Sequence, residues 1–542
     1  MKKITFLLIL FNFFYGNAQW VADTSVNTLV SNDVTVDSKS VGTTDGKTFV
    51  VYWKTTTAPV NYELRLQILD IDGNLTLGSN GMLISNTIPM STSTAFWKIR
   101  TDTSNNLYVC VTGTGSGTPA IVFKIDSTGT NLWGSNGVTL GSGYLPTVCP
   151  LSNGDVLMGY SPGAGQSKIQ RYTSTGTPVW ATAIGVSGPL ASNTTFIADI
   201  YELSNQDFIA VFHKKLSFGV STNLFAQRYN SSGVVQWAAP TQLSNRTTVY
   251  NRIYSSSQDN DVIYYGYYGN DLNRFDSYLQ RLNADGTLPW GINGADFDTN
   301  QTNFEMDTQI KTISGSNFLW AVCHYTDTNQ TINGEYVQKV DKTTGARLFT
   351  NTAKEIFPIS SSHIVHTADL KLIGDTPFFL TKNGLDTGVS PVTLNKVRLD
   401  TNGDFIWAAQ FLPVATFAAN KSQIHLTEPL NDESVAVFIE PKTSGQSLIY
   451  AQKFSTILSN NEFSLDSFEL YPNPSKDNFN IEGNTAIKSL IVYSTTGQKI
   501  YEDSFEGVNK TNVSTANWAN GIYILEIKTD SGDVKSYKLI KQ

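Results

Sequence analysis

The chain has 542 residues, 40% of them hydrophobic and 12% aromatic, which excludes both wholesale disorder and a single small domain. Charged residues make up only 15% of it, against roughly 25% in an ordinary soluble domain. With a formal net charge of −8, a phosphate backbone is a poor partner, so nucleic acid binding is not expected.

Residues 1–18, MKKITFLLILFNFFYGNA, carry two lysines, an apolar run and small or polar residues ending in Ala18. This is the layout of a cleaved secretory leader, with the cut expected before Gln19. Its loss leaves 36 basic against 46 acidic residues, a net charge of −10. The apolar run is shorter than the ~20 residues a membrane-spanning helix needs, and no later segment approaches that length. The mature chain is therefore expected to have no transmembrane anchor and to lie outside the inner membrane.

From residue 19 to about 458 a repeat dominates. An apolar strand pattern, a polar turn with glycine, and an aromatic residue or Leu four positions later recur seven times. The glycines are Gly73, Gly129, Gly176, Gly233, Gly286, Gly345 and Gly403, on average 55 residues apart. Their partners are Leu77, Trp133, Trp180, Trp237, Trp290, Phe349 and Trp407, so five of the ten tryptophans share one repeat position. On the other side of the turn stand Gln67, Gln170, Gln227, Gln280 and Gln338, and Gln452 begins an eighth copy without the glycine turn. Each unit reads as four short strands rich in β-branched and aromatic residues. Four strands in ~55 residues, repeated, predict a β-propeller, eight-bladed in preference to seven, in which the strand after Trp20 completes the last blade. The recurring Trp is expected to pack between blades, the Gln to satisfy backbone groups, and Asp70, Asp126, Asn230, Asn283 and Asp400 to cap the turns.

The turn-plus-Trp signature resembles the repeat of quinoprotein propellers, with residues 340–349, VDKTTGARLF, nearest in spacing. The other turns are one residue shorter and the adjacent cysteine pair of many quinone-dependent alcohol dehydrogenases is absent, so no cofactor is expected. Sialidase-type Asp boxes are similar but space Asp, Gly and the aromatic residue differently from NADGTLPW, residues 283–290. Cys110, Cys149 and Cys323 are too few for a disulfide scaffold. Cys110 and Cys323 lie in apolar strand patterns and read as small buried hydrophobes. The H-x-x-H pair His363 and His366 would point to opposite faces of a strand, so no metal site is expected.

In a propeller the between-blade loops and those joining second to third strands share one face. That placement nominates Trp53, His213, Tyr267, Tyr268, Arg274, His324, Tyr325 and Lys382 as binding residues, with Lys214, Asp271, Asp327 and Glu440 nearby. Exposed aromatic rings beside polar groups suit sugars or extended polymers, and the acidic net charge suits a neutral or basic ligand better than an acidic one. No nucleophile elbow, phosphate loop or H-E-x-x-H helix is present, so catalytic residues are not assignable.

A polar linker, 459–465, precedes a final segment, 466–542. It carries Tyr471-Pro472-Asn473-Pro474-Ser475, a Gly497 turn, Gly521-Ile522-Tyr523 and a last strand containing Lys538. This segment resembles the C-terminal sorting domain of type IX secretion, used by Bacteroidetes to move cargo across the outer membrane. The resemblance implies a small β-sandwich, read here as about seven antiparallel strands. It also implies the type IX machinery as partner and a secreted or outer-surface location, with no activity for the cargo. Three functions remain open for the propeller body: a non-catalytic module binding glycan or a cell-surface protein, preferred; a polysaccharide-active enzyme; and a quinone- or metal-dependent oxidoreductase.

Overall fold

The computed structural model describes residues 20–57, 62–90, 96–115, 117–187, 194–215, 222–250, 254–271, 274–360, 368–384, 392–442, 445–457, 468–530 and 534–542. The expected leader and the pair His363 and His366 lie outside them. The chain divides into two compact units, Met1–Thr456 and Ile457–Gln542.

Among the described residues the first unit contains eight antiparallel four-stranded sheets, the blades of a propeller. Blade 1, for example, runs Thr35–Gly42, Thr48–Thr55, Tyr62–Leu69 and Met82–Ser85, from channel to rim. Blades 2 to 7 repeat that order. Blade 8 takes its inner three strands, Ser422–Leu426, Glu433–Pro441 and Ser447–Ser455, from the end of the unit, and its outer strand, Thr28–Ser31, from the beginning. This is the ring closure that the phase of the repeat predicts. The sequence repeat and the blade are offset, because the strand after each Trp position is the rim of one blade while the next three strands begin another.

The recurring residues explain how neighbouring blades hold together. A Cβ added to Gly73, Gly129, Gly176, Gly233, Gly286, Gly345 or Gly403 would come within 3.3 Å of the aromatic or Leu side chain of the preceding blade or its neighbour in the same contact, with Trp20 covering Gly73 and Trp290 covering Gly345. All seven glycines also have φ between +73° and +95°, a region costly for residues with a Cβ. Indole nitrogens reinforce the contact: Trp20 Nε1 donates to Ile71 O at 2.9 Å, Trp133 to Ser174 O at 3.1 Å and Trp237 to Ala284 O at 3.2 Å. The Gln side chains bond the backbone around the aromatic residue of their own repeat. Gln170 Nε2 donates to Trp180 O at 3.0 Å, and its Oε1 accepts from Trp180 N at 3.3 Å. At the ring closure Gln452 donates instead to Val21 O at 2.9 Å, since the missing outer strand comes from there. Asp70 Oδ1 accepts from the amides of Asp72 and Asn74 at 3.0 and 2.8 Å, the side-chain-capped turn expected. Cys110, Cys149 and Cys323 are all free and buried.

Blade 8 also contains a fully buried ion pair: Lys421 Nζ lies 3.0 Å from Glu440 Oε2, with both side chains at 0% exposure. The ammonium further donates to Val392 O and Phe417 O at 3.0 and 2.6 Å, while Lys442 faces the other carboxylate oxygen at 3.3 Å. Removing one partner of such a pair strands a charge in the interior. Lys421→Met is expected to cost about 3 kcal/mol by denaturant titration, the low end of the range for broken buried pairs because Lys442 remains. The Lys421→Met/Glu440→Met double variant is expected to regain most of it; a single variant as stable as the parent would contradict the pairing.

Among the described residues the second unit is one five-stranded sheet rather than seven strands. Asn478–Ser494 and Lys499–Ser514 each run unbroken through register shifts, so stretches that read as separate strands in sequence are continuous. Phe468–Tyr471, Gly521–Thr529 and Val534–Lys541 complete it. Its own core includes Phe479, Ile481, Leu490, Val492, Leu525 and Ile527.

Candidate functional site

The residues nominated from loop placement do come from the expected strand ends, but most are interior. Trp53, Tyr267 and Tyr325 are 0% exposed, as is His213, and Tyr268 is buried too. Trp53 packs edge-on against Trp97, Tyr267 Oη donates to Asn293 O at 2.9 Å, and Tyr325 stacks on Tyr336 and donates to Asp298. His213 Nδ1 lies 2.8 Å from Thr248 Oγ1, and burial lowers its pKa to about 3, so the ring is neutral. Arg274 is spent on Asn300 O and Asn303 O at 2.7 and 3.0 Å and on Asp276. Half-buried His324 holds Asn333 Oδ1 at 2.8 Å, and Lys382 points to Lys421 O at 3.5 Å. Glu440 belongs to the buried pair above. The expectation of an open aromatic face at these positions is therefore corrected: second and third strands sit between blades, where large side chains fill space.

The open chemistry lies on the first strands, which line the central channel. A cavity of about 350 Å³ is bounded by first-strand residues of blades 1, 2, 4, 7 and 8, with Tyr254 and Tyr265 from blade 5. Four basic side chains line it: Lys39, Lys98, Arg100 and Lys371. The strand period of two puts Lys98 and Arg100 on one side of Trp97–Thr101. They reach past blade 3, whose first strand, Tyr144–Pro150, carries no charged residue. Arg100 meets Asp199 Oδ1 at 2.5 Å, and Lys98 donates to Ala198 O. Burial pushes the Lys98 ammonium below its usual range; burial alone would raise Asp199, but Arg100 and Lys98 hold it low.

On the opposite side, Glu428 is shared by Lys311 at 2.8 Å and Lys371 at 3.3 Å, which hold it below the usual carboxylate range against the opposing effect of burial. Asp369 faces His425 Nδ1 at 3.5 Å and accepts from Leu426 N at 3.0 Å. Burial would raise its pKa, but the His425 bond and Lys371 carry it well below normal. His425 Nε2 lies 2.8 Å from Ser38 O, so both ring nitrogens are engaged and tie blade 8 to its neighbours. Lys39 stands over the Trp97 ring, 5.1 Å from its centroid, while Trp97 Nε1 donates to Asp37 at 2.7 Å. Asp37 is raised by burial.

Above this cavity, where chain segments enter blades 2 to 5, four rings meet. Phe196 stacks on Tyr250 with centroids 3.8 Å apart, and Tyr144 contacts Phe196 at 6.0 Å, Tyr250 at 6.5 Å and Phe96 at 6.3 Å. Phe96 is 39% exposed, Tyr144 and Tyr250 are half-buried, and Phe196 is buried beneath them. Phe96 precedes Lys98 by two residues, about 7 Å along a strand, so the platform adjoins the cavity.

Sequence reasoning passed over these residues, although a signal exists. Asp37, Lys39, Lys98, Arg100, Asp199, Lys311, Asp369, Lys371 and His425 all interrupt first strands of an otherwise apolar repeat. The overall acidic charge says nothing about the sign inside the channel.

Residues 469–542 match the family described as secretion system C-terminal sorting domain. The protein is accordingly exported to the cell surface or the extracellular space with the type IX secretion machinery as partner. In that unit Asn473 clips the last strand, donating from Nδ2 to Lys538 O at 2.8 Å and accepting from Ile540 N at 2.9 Å. Pro472 and Pro474 flank it in cis peptide bonds. Tyr471 lies beside Glu482 and Lys510, Gly497 makes the turn between the two long strands, and Gly521 opens the strand in which Tyr523 bonds Ala519 O at 2.7 Å. No curated protein matches the chain. Among solved structures, a family PL25 ulvan lyase bound to -[GlcA(1-4)Rha3S]- aligns at 9% identity over 81% of this chain and 96% of its own, with a TM-score of 0.43. Drosophila semaphorin 2a aligns at 11% over 98% and 99%, with a TM-score of 0.39. A family GH43 endo-arabinanase from Bacillus licheniformis aligns at 11% over 48% and 96%, with a TM-score of 0.25. These are likenesses of fold alone.

Proposed function

We propose that this protein is an exported, non-catalytic glycan receptor, and that the sugar is held at the mouth of the propeller channel. The observation that carries this reading is the platform of Phe96, Tyr144, Phe196 and Tyr250 beside the charged cavity. The exposed ring of Phe96 and the half-buried rings of Tyr144 and Tyr250, backed by the buried Phe196, can stack on the apolar faces of sugars, and the nearby cavity supplies the few directed polar groups that fix orientation. A polysaccharide-active enzyme is less well supported. A glycosidase needs a pair of carboxyls, one of them raised to serve as general acid; among the carboxyls at the cavity only Asp37 is raised, while Asp199, Asp369 and Glu428 are held low by neighbouring cations or His425.

The test is titration of the purified mature chain with a panel of soluble oligosaccharides and, separately, with surface proteins, while assaying product release. Phe96→Ala and Tyr144→Ala are expected to weaken glycan binding at least about tenfold, the loss of one or more ring contacts, without shifting the melting transition appreciably and with no sugar released. Tight binding indifferent to both substitutions, or release of shortened products, would overturn the reading.

A further inference from the structure

The sign of the charge in the channel goes beyond where a glycan would sit, and it is opposite to that of the chain as a whole. Each carboxylate lining the cavity already has a cationic or histidine partner: Arg100 on Asp199, His425 on Asp369, and Lys371 on Glu428. Glu428 carries a second lysine, Lys311, so two ammonium groups share one carboxylate. Lys39 faces the cavity over an indole ring, and the carboxyl nearest along its strand, Asp37, accepts a hydrogen bond from Trp97 Nε1 at one oxygen. Lys39, Lys98, Arg100, Lys311 and Lys371 thus face Asp37, Asp199, Asp369 and Glu428, five cations against four carboxyl groups, which leaves one positive charge in excess, with Lys39 outside the ion pairs named above. Partly desolvated cations of this kind carry an electrostatic cost that an incoming anion offsets. An ammonium attracts carboxylate and sulfate oxygens alike, by charge-assisted hydrogen bonds stronger than those to a neutral hydroxyl.

We infer that the channel is an anion receptor, and that Lys39 and Lys371 bind the carboxylate or sulfate group of an acidic sugar whose ring rests on the aromatic platform. The inference rests on the glycan-receptor reading and specifies its ligand class. It also accounts for the division of labour along the channel. The aromatic side chains lie at the loop face, where a polymer end or side branch arrives. The cations lie further along the channel, in the cavity of about 350 Å³, which has room for a charged substituent.

The experiment uses the full mature chain and three oligosaccharides of equal length, titrated by calorimetry: an oligogalacturonide for the carboxylate, a sulfated galactan fragment for the sulfate, and its unsulfated counterpart as the neutral probe. At least one acidic probe is expected to bind about tenfold or more tighter than the neutral one, and which of the two prevails identifies the anion. Lys39→Met and Lys371→Met are each expected to remove most of that preference while leaving weak neutral binding in place. The control variant Lys476→Met/Lys488→Met, at exposed positions of the other unit, is expected to change nothing. Because a channel substitution could disturb folding, the parent is also titrated from low to high salt, where acidic binding is expected to weaken steeply and neutral binding to hold. Equal binding of acidic and neutral probes, unmoved by Lys39→Met, overturns the anion assignment and leaves the glycan reading standing. Acidic binding abolished only by the exposed-lysine variant overturns it as well. Failure of all three probes to bind overturns both.

Discussion

Deleting residues 20–31 is expected to destroy the cooperative folding of the ring, although the segment contributes a single short strand. Thr28, Leu29 and Ser31 pair with Ala451, Tyr450 and Ile449, and Val30 between them is fully buried. Asn27 Nδ2 donates to Gln452 Oε1 at 2.8 Å and to Val414 O at 3.3 Å, while Lys442 reaches back to Ser25 O. Trp20 covers Gly73 on blade 1, so the same segment joins the last blade to the first. Burial of Val30 is worth about 1.5–3 kcal/mol, the larger but only partly buried Trp20 contributes a similar amount, and each net hydrogen bond about 1. The loss therefore reaches at least about 5 kcal/mol, comparable to the whole stability of many domains. It also bares an unpaired edge on the strand Ser447–Ser455, which invites aggregation. Denaturant titration and limited proteolysis of the deleted chain are expected to show a much earlier, broadened transition and cleavage spread over several blades. An unchanged transition would mean that the ring does not depend on this closure.

Deleting residues 466–542 is expected to have the opposite profile: a folded propeller that fails to reach the cell surface. The two units have separate cores, so the propeller keeps its interior when the sorting domain is removed. In the native host, surface labelling of the truncated chain is expected to fall to background while the protein accumulates inside the outer membrane, with the melting transition of the propeller preserved on purification. Asn473→Ala provides a finer probe, since it removes both bonds that clip the last strand. It is expected to reduce delivery if the machinery reads the folded sheet. Normal surface delivery of the truncated chain would sink the assignment of this segment as the export signal.

The central channel is the place where reading by spacing ran out. The Trp, Gly and Gln positions announce their roles because their partners sit one repeat away, and the same contact recurs around the ring. Gly345 meets Trp290 as Gly176 meets Trp133. Once a contact is periodic, sequence separation is enough to find it. The nominated site residues failed differently. Tyr267, His213 and Trp53 stand at strand ends near the correct face, yet whether a ring at such a position is exposed depends on how the next blade packs over it. That is a property of neighbouring sheets, which no spacing within one unit contains.

By itself the sequence determined the repeat, its preferred count of eight, the offset that closes the ring, the capped turns and the C-terminal sorting domain. All of these arise from local strand periodicity, turn chemistry and contacts one repeat apart. Only the tertiary structure decided what lies in the channel. Arg100 and Asp199 are 99 residues apart, and Lys311 and Glu428 are 117. These pairs skip a blade and meet only because the ring closes on itself. Charges that look scattered along an acidic chain become, at the axis, ion pairs between distant blades, because first strands from distant repeats converge there.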